Sequence, residues 1–376
     1  MADNRRNKPV VLIAGATGFV GQALLKELAT KYKVIGLTRS PLKSEDDPDS
    51  GISWRQCDLF SLIDAEKAMA GVDYAYYLVH SMMPSARLTQ GNFQDMDLIL
   101  ADNFARAAAC SGVKQIIYLG GLIPETEELS RHLRSRLEVE RTLGSHGVPV
   151  TALRAGLIVG DKGSTFRILV RLVVRYPFLI FPRWAMTLTH PIALQDVIKL
   201  LHYCMGNENT FNESFDVGGP DVMTYKEMLM RTAEAMGYKR YIYQVPTFSI
   251  KLSSILVSLL TNSPRALVFP LIESLKYPMV AGSFKLQEMM NLPGTPFNEA
   301  VRIAISDRKK RRERIKPPKA VKKQKTVMSV RSVQRLPLPP GKDADWVARY
   351  YSKWLSSLFR TIVKARVDDQ GNCSFY

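Results

Sequence analysis

Residues Val10 to Gly21 read VVLIAGATGFVG, a short apolar run of β-type residues that ends in glycines spaced three apart, Gly15, Gly18 and Gly21. The helical pattern QALLKELATK, Gln22 to Lys31, follows at once. Strand, glycine turn and helix in that order leave a side-chain-free bend at the head of a helix, where free N–H groups and the positive end of the dipole gather. Such a bend admits the close backbone approach of a dinucleotide pyrophosphate. Gly15, Thr17, Gly18, Phe19, Val20 and Gly21 are therefore candidate contacts for it. An ordinary tight turn with a glycine-tolerant packing contact is the alternative reading.

The same β-then-α alternation runs through the first half of the chain. Apolar β-type runs fall at 10–14, 33–38, 74–79, 115–119 and 150–154, with a weaker one at 53–56. Helical patterns fall at 19–30, 61–69, 90–111 and 128–143. This order predicts an α/β fold, a doubly wound parallel sheet with right-handed crossovers and its ligand at the carboxyl ends of the strands. After about residue 155 the rhythm loosens into helix-rich, proline-broken sequence, read as a smaller substrate lobe over 156–305. A strand-like island, Ser214 to Val217, leads there into Gly218-Gly219-Pro220.

The net charge of +17 is concentrated in the tail. After Ser306 there are nineteen Lys and Arg against six Asp and Glu, a surplus of +13 that leaves +4 for everything before it. Residues 306–328 read as a basic linker, with eleven Lys or Arg in the eighteen residues from Arg308 to Lys325. Such a run is a solvated linker, a patch for acidic lipid headgroups, or a contact for nucleic-acid phosphates. No aromatic residue interleaves it, so it lacks a stacking platform for single strands, and sequence-specific nucleic-acid recognition is not expected. Residues 329–376 read as a partial C-terminal module: an amphipathic helix from Asp343 to Leu358, then a hairpin over Thr361 to Tyr376 that cannot complete a sheet. A protein partner for 308–376 is the further possibility.

Four scattered cysteines offer neither disulfide nor zinc spacing, so no metal is expected and a reducing, cytoplasmic setting is. Two apolar segments, Phe166 to Trp184 and Phe248 to Leu260, are too short or too basic to span a bilayer. Arg167, Arg171 and Arg175 share a helical face, which suits either acidic lipid at a membrane surface or the rim of a core helix.

The second strand ends in Arg39, with no carboxylate before Glu45. A guanidinium there matches a ribose 2′-phosphate, whereas an acid would bond the 2′-hydroxyl, so NADP(H) is favoured over NAD(H). Asp58, with Leu59 behind it, is placed either to accept a hydrogen bond from adenine or to cap the helix that begins near Ser61.

These motifs together resemble the extended short-chain dehydrogenase/reductases, in their atypical NAD(P)-binding branch, which includes proteins related to the Rossmann-type accessory subunit of respiratory complex I. The resemblance covers roughly 8–305 and rests on AGATGFVG at 14–21, CDL at 57–59, YYLVHSM at 76–82, HLRSRLEVE at 132–140, LRAGLIVG at 153–160 and VGGPDVMTYKEML at 217–229. It places Val79 and His80, at the end of the fourth strand, near the nicotinamide, with Ser81 beside them.

Active members of that family use Tyr-x-x-x-Lys and a serine. Here the tyrosine position holds His132, the lysine position Arg136, and the serine position falls on Gly120 and Gly121. His132 and Arg136 lie four apart on one helical face. Two readings follow. In one, His132 donates a proton and Arg136 holds the ribose, giving an NADP(H)-dependent oxidoreductase or epimerase acting on a small molecule. In the other, Arg136 pairs with Glu140 and the helix only binds cofactor, giving a cofactor-holding sensor or assembly protein. The resemblance also points His190 toward the cleft, Asp196 to a helix cap, Arg154 to a substrate anion or a brace between lobes, and Gly218 and Gly219 to a turn beside the cofactor.

Overall fold

The computed structural model describes residues 8–40, 51–79, 93–124, 126, 129–182, 186–245, 250–275, 277–315, 365–367 and 373–375. The chain divides into two compact units, Met1–Arg312 and Glu313–Tyr376.

The first unit is built on strand–helix alternation: β1 (Val10–Ala14), α1 (Phe19–Leu28), β2 (Lys33–Thr38), β3 (Ile52–Gln56), α2 (Leu62–Met69), β4 (Tyr74–Tyr77), α3 (Phe93–Cys110), β5 (Gln115–Gly121), α4 (Arg131–Leu143) and β6 (Val150–Ala155). The lobe sequence supplies β7 (Ile158–Val159), α5 (Ser164–Arg175), β8 (Phe178–Pro182), β9 (Leu188–Thr189), β10 (Ile192–Ala193), α6 (Leu194–Cys204), β11 (Glu213–Val217), β12 (Met223–Thr224), α7 (Tyr225–Ala235), β13 (Tyr241–Val245), α8 (Ile250–Thr261), α9 (Arg265–Ser274), α10 (Lys285–Met289) and α11 (Phe297–Ile315).

Seven strands form one sheet in the order β11-β6-β5-β4-β1-β2-β3, every pair parallel. Parallel strands covered on both faces read as continuous apolar runs, and Val11, Leu12, Ile13 and Ala14 of β1 are all fully buried. One face packs on α2, α3 and α4 through residues such as Leu12, Phe104 and Leu143; the other packs on α1 and α6 through Ile13, Leu24 and Leu201. The strand order reverses between β1 and β4, which opens a crevice at their carboxyl ends.

The island at Ser214 to Val217 is not part of the lobe. It is β11, the seventh strand, paired along β6 from Glu213↔Thr151 to Val217↔Ala155. Phe215 and Val217 bury against the α6 side, so the returning chain covers an edge of β6 that would otherwise stay unpaired.

A second correction concerns the basic linker. Residues 306–315 are helical, the last turns of α11. No glycine or proline interrupts the sequence before Pro317, and Lys, Arg and Glu are favourable helix residues. Arg311 anchors this part of the helix on Asp161, Nε to Oδ2 at 3.2 Å. Residues 316–364, with the expected amphipathic helix at 343–358, lie outside the described residues.

The second unit contains the antiparallel pair β14 (Ala365–Val367) and β15 (Cys373–Phe375), in register from Ala365↔Phe375 to Val367↔Cys373. Among the described residues, no helix is long and apolar enough to cross a membrane.

Candidate cofactor site and adjoining cavity

The glycine turn leaves room for a dinucleotide, and two of its glycines, Gly15 and Gly21, are required by their neighbours. Gly15 has φ +87°, and a Cβ on it would lie 2.7 Å from the Leu78 carbonyl oxygen of the adjacent β4 end. A Cβ on Gly21 would lie 2.2 Å from the Gly15 carbonyl oxygen, so α1 packs directly on the turn. Gly18 is the N-cap of α1 and donates its N–H to Gly15 O at 2.9 Å. No acid occupies the first turn of α1, so its positive end faces the crevice unopposed.

A cavity of about 1180 Å³ begins at this turn. Gly15, Thr17, Gly18, Phe19, Val20, Gly21, Arg39, Asp58, Leu59, Val79, His132 and Arg136 all line it. His80 and Ser81 lie outside the described residues. Arg39 is exposed just past the end of β2, at the edge of the cavity. Phe19 lies against the lobe, where a Cβ on Gly160 would come within 2.5 Å of its ring.

Asp58 is not the cap of α2: Ser61 is, accepting from Asp64 N at 3.2 Å. Asp58 instead closes a local turn, Oδ1 accepting from Phe60 N at 3.3 Å. Asn103 of α3 holds this loop, its Nδ2 donating to Leu59 O at 2.9 Å and Phe60 O at 3.1 Å. Nothing in sequence order connects Asn103 to that loop, so motif reading missed it.

Arg136 does not pair with Glu140. Its guanidinium forms a buried ion pair with Asp97 of α3, another residue that sequence reading missed. Asp97 is 1% exposed and lies among Met96, Leu100 and Ala101, so an acid on the apolar face of α3 was the available signal. Tyr118 donates to the Arg136 carbonyl at 3.3 Å. Glu140 is instead gripped by Arg154 of β6, Nε to Oε2 at 3.0 Å and Nη2 to Oε1 at 2.6 Å, and by Ser214 Oγ at 2.6 Å. Arg154 thus ties α4 to the sheet. Being held by Glu140, the first cause, pushes its already high pKa up further.

His190 does not line the cavity. It is 1% exposed, donates from Nε2 to Gly219 O at 2.6 Å and accepts at Nδ1 from Ala281 N at 3.2 Å. With both nitrogens engaged in those roles the ring is neutral, and burial holds its pKa below the ordinary value. Gly218 and Gly219 are architectural and also lie outside this cavity: a Cβ on Gly218 would meet the His190 ring at 2.6 Å. Asp196 caps no helix, since α6 has no side-chain cap; its Oδ2 accepts from Thr295 N at 2.7 Å.

Two of the three arginines on that face of α5 are spent on protein. Arg171 donates to Thr261 O at 2.7 Å and Arg175 to Leu260 O at 3.3 Å, so two cations cap the carboxyl end of α8. Arg167 stays exposed.

Comparison with known proteins agrees with this geometry. Residues 15–172 match a family model described as NAD(P)H-binding. Auxiliary protein GraX of Staphylococcus aureus is 34% identical over 143 residues, 38% of this chain and 43% of that protein. The mitochondrial NADH dehydrogenase [ubiquinone] 1 alpha subcomplex subunit 9 of Arabidopsis thaliana is 22% identical over 228 residues, 58% of this chain and 56% of that one. The chain therefore spans about half the length of these curated relatives. The structure of triphenylmethane reductase from Citrobacter sp. complexed with NADP(H) superposes with a TM-score of 0.62 at 18% identity, covering 78% of this chain and 99% of that one. The glycine crevice, the seven-stranded parallel sheet and these matches together identify residues 15–172 as an NAD(P)H-binding domain, in a chain similar to the extended short-chain dehydrogenase/reductases.

Proposed function

We propose that the chain holds NADP(H) in a site stripped of the family's acid–base set, and that its bound state serves sensing or assembly. The carrying observation is the Arg136–Asp97 pair. At the lysine position the only cation is neutralised inside the protein, and at the serine position Gly120 and Gly121 line the cavity without a hydroxyl. Similarity to a subunit of NADH dehydrogenase and to an auxiliary protein supports a role of this kind.

A second reading has its own support. His132 is half-buried and lines the same cavity, so an imidazole stands where a proton donor is needed. On that reading the chain is an NADP(H)-dependent oxidoreductase or epimerase.

Titration with NADPH and NADH in parallel tests the cofactor assignment. A guanidinium–phosphate bond is worth about 1.5–3 kcal/mol, so NADPH should bind about 10- to 150-fold more tightly than NADH. Arg39→Asp should reverse that order; equal affinities in the unaltered protein would eliminate the role of Arg39. Turnover of NADPH with a carbonyl substrate that disappears in His132→Ala, with NADPH still bound, decides for the second reading.

A further inference from the structure

β8 and β13 pair in parallel as a separate two-stranded sheet, and its two faces differ in kind. Successive side chains on a strand point to opposite faces, so Leu179 and Ile242 share one face and Phe178, Tyr241 and Tyr243 the other. The first face is packed: Leu179 is buried and Ile242 lies against the same core cluster as Val170 and Leu229. The second points outward with three rings, Phe178 60%, Tyr241 56% and Tyr243 59% exposed. Phe178 stands opposite Tyr241 in register, their rings stacked at 5.5 Å between centroids, and the Tyr243 ring lies 6.3 Å from Phe178. The outward face of a sheet is ordinarily polar, so a contiguous aromatic one marks a surface that meets something other than water.

The patch continues onto two helix ends. Arg240 donates from Nε to Val173 O at 2.5 Å, and Tyr176 donates to Leu260 O at 3.1 Å. These contacts bring the carboxyl ends of α5 and α8 up to the sheet, with Val174 and Leu259 exposed on them, the latter at 73%. The stretches concerned, 173–178 (VVRYPF), 238–243 (YKRYIY) and 257–260 (VSLL), hold Arg175, Lys239 and Arg240 and no Asp or Glu. Arg175 and Lys239 are exposed, and the Arg240 guanidinium lies 4.4 Å over the Tyr238 ring. Rings and aliphatic side chains interleaved with cations and free of acids suit the headgroup layer of an anionic bilayer. There the ring bodies reach the acyl boundary while Lys and Arg meet acidic headgroups.

We infer that this aromatic and basic face docks on an anionic phospholipid surface. The same face of a second copy would set three cations against three, and the chain past Ser306 carries a surplus of +13, so neither complements the patch. Single-stranded nucleic acid needs open ring faces, whereas Phe178 and Tyr241 cover each other. The inference concerns this outer surface alone and holds whatever the glycine crevice binds.

The test is co-sedimentation of the full chain, in physiological salt, with vesicles of phosphatidylserine and phosphatidylcholine in equal parts. The chain should bind these vesicles, and bind pure phosphatidylcholine more weakly. Phe178→Ser/Tyr243→Ser should weaken binding by about tenfold or more, and Lys239→Gln by about fivefold. These substitutions change exposed side chains, so the thermal unfolding midpoint should stay put; were it to move in the aromatic pair, Lys239→Gln alone decides. The basic tail is controlled by replacing Lys319, Lys322, Lys323 and Lys325 with Gln: the vesicles should still be bound in that background, and the aromatic pair should still lose about tenfold. No binding to the anionic vesicles, binding that survives the aromatic pair with the midpoint unmoved, an unchanged affinity in Lys239→Gln, or binding abolished by the tail replacements alone would each overturn the inference. So would self-association, or retention of oligo-dT in place of vesicles, that disappears in Phe178→Ser/Tyr243→Ser, since the face would then belong to a second copy or to nucleic acid.

Discussion

Replacing Asp97 by Ala leaves the Arg136 guanidinium in the interior without its carboxylate. The two side chains are 6% and 2% exposed, so the pair lies outside the surface regime in which ion pairs contribute about 0–1 kcal/mol. Removing one partner of a buried pair costs about 3–5 kcal/mol, because the other charge stays desolvated. Arginine cannot escape by losing its proton, and Arg136 Nε already has no hydrogen-bond partner among the described residues. Arg136→Met should be milder, since a stranded carboxyl can take up a proton. The double variant Asp97→Leu/Arg136→Met removes both charges and should lie within about 1 kcal/mol of the unaltered protein. Urea unfolding at neutral pH, read as a midpoint shift at constant slope, gives all three values and the coupling energy. Asp97→Ala within about 1 kcal/mol of the unaltered protein, or single effects that simply add, would refute the claim that this pair holds α4 on α3.

Two further outcomes follow from the geometry. Gly21→Ala presses a methyl group against the fixed backbone of Gly15 and Ala16 and should cost about 1–3 kcal/mol on thermal unfolding, whereas Gly18→Ala meets only Gly15 O at 3.0 Å and should spare stability while weakening NADPH binding by tenfold or more; wild-type affinity in Gly18→Ala would contradict the cradle. His190 is neutral when folded and its pKa is depressed, so the unfolded chain takes up a proton first; stability should fall as pH drops below about 6.5, at most about 1.4 kcal/mol per pH unit. His190→Gln should lose that part of the pH dependence between pH 7.5 and 5.5, and an unchanged slope would count against the buried neutral ring.

The sheet was legible because its signals are local. Val10 to Ala14, Lys33 to Thr38 and Val150 to Ala155 are apolar runs of strand length, and Gly15, Gly18 and Gly21 punctuate the first of them at a spacing that has one good structural use. The β-type pattern at Ser214 to Val217 was equally plain, but which sheet it joins depends on β6 having a free edge, a fact about assembly. The same limit applied to charge. From spacing, Arg136 and Glu140 are neighbours on a helix, yet in the fold α3 brings Asp97 to one and β6 brings Arg154 to the other. His190 looked like a cleft residue until Gly219 and Ala281 closed on its two nitrogens. The apolar half of the cavity had no sequence signature, because scattered Leu, Ile and Met from several helices read as core until packing leaves a space between them. Periodicity and glycine spacing therefore determined the elements and the cofactor bend, since those depend on backbone sterics over a few residues. Tertiary structure alone decided which charges pair, which histidine is locked and where the cavity opens, since those depend on which distant surfaces meet.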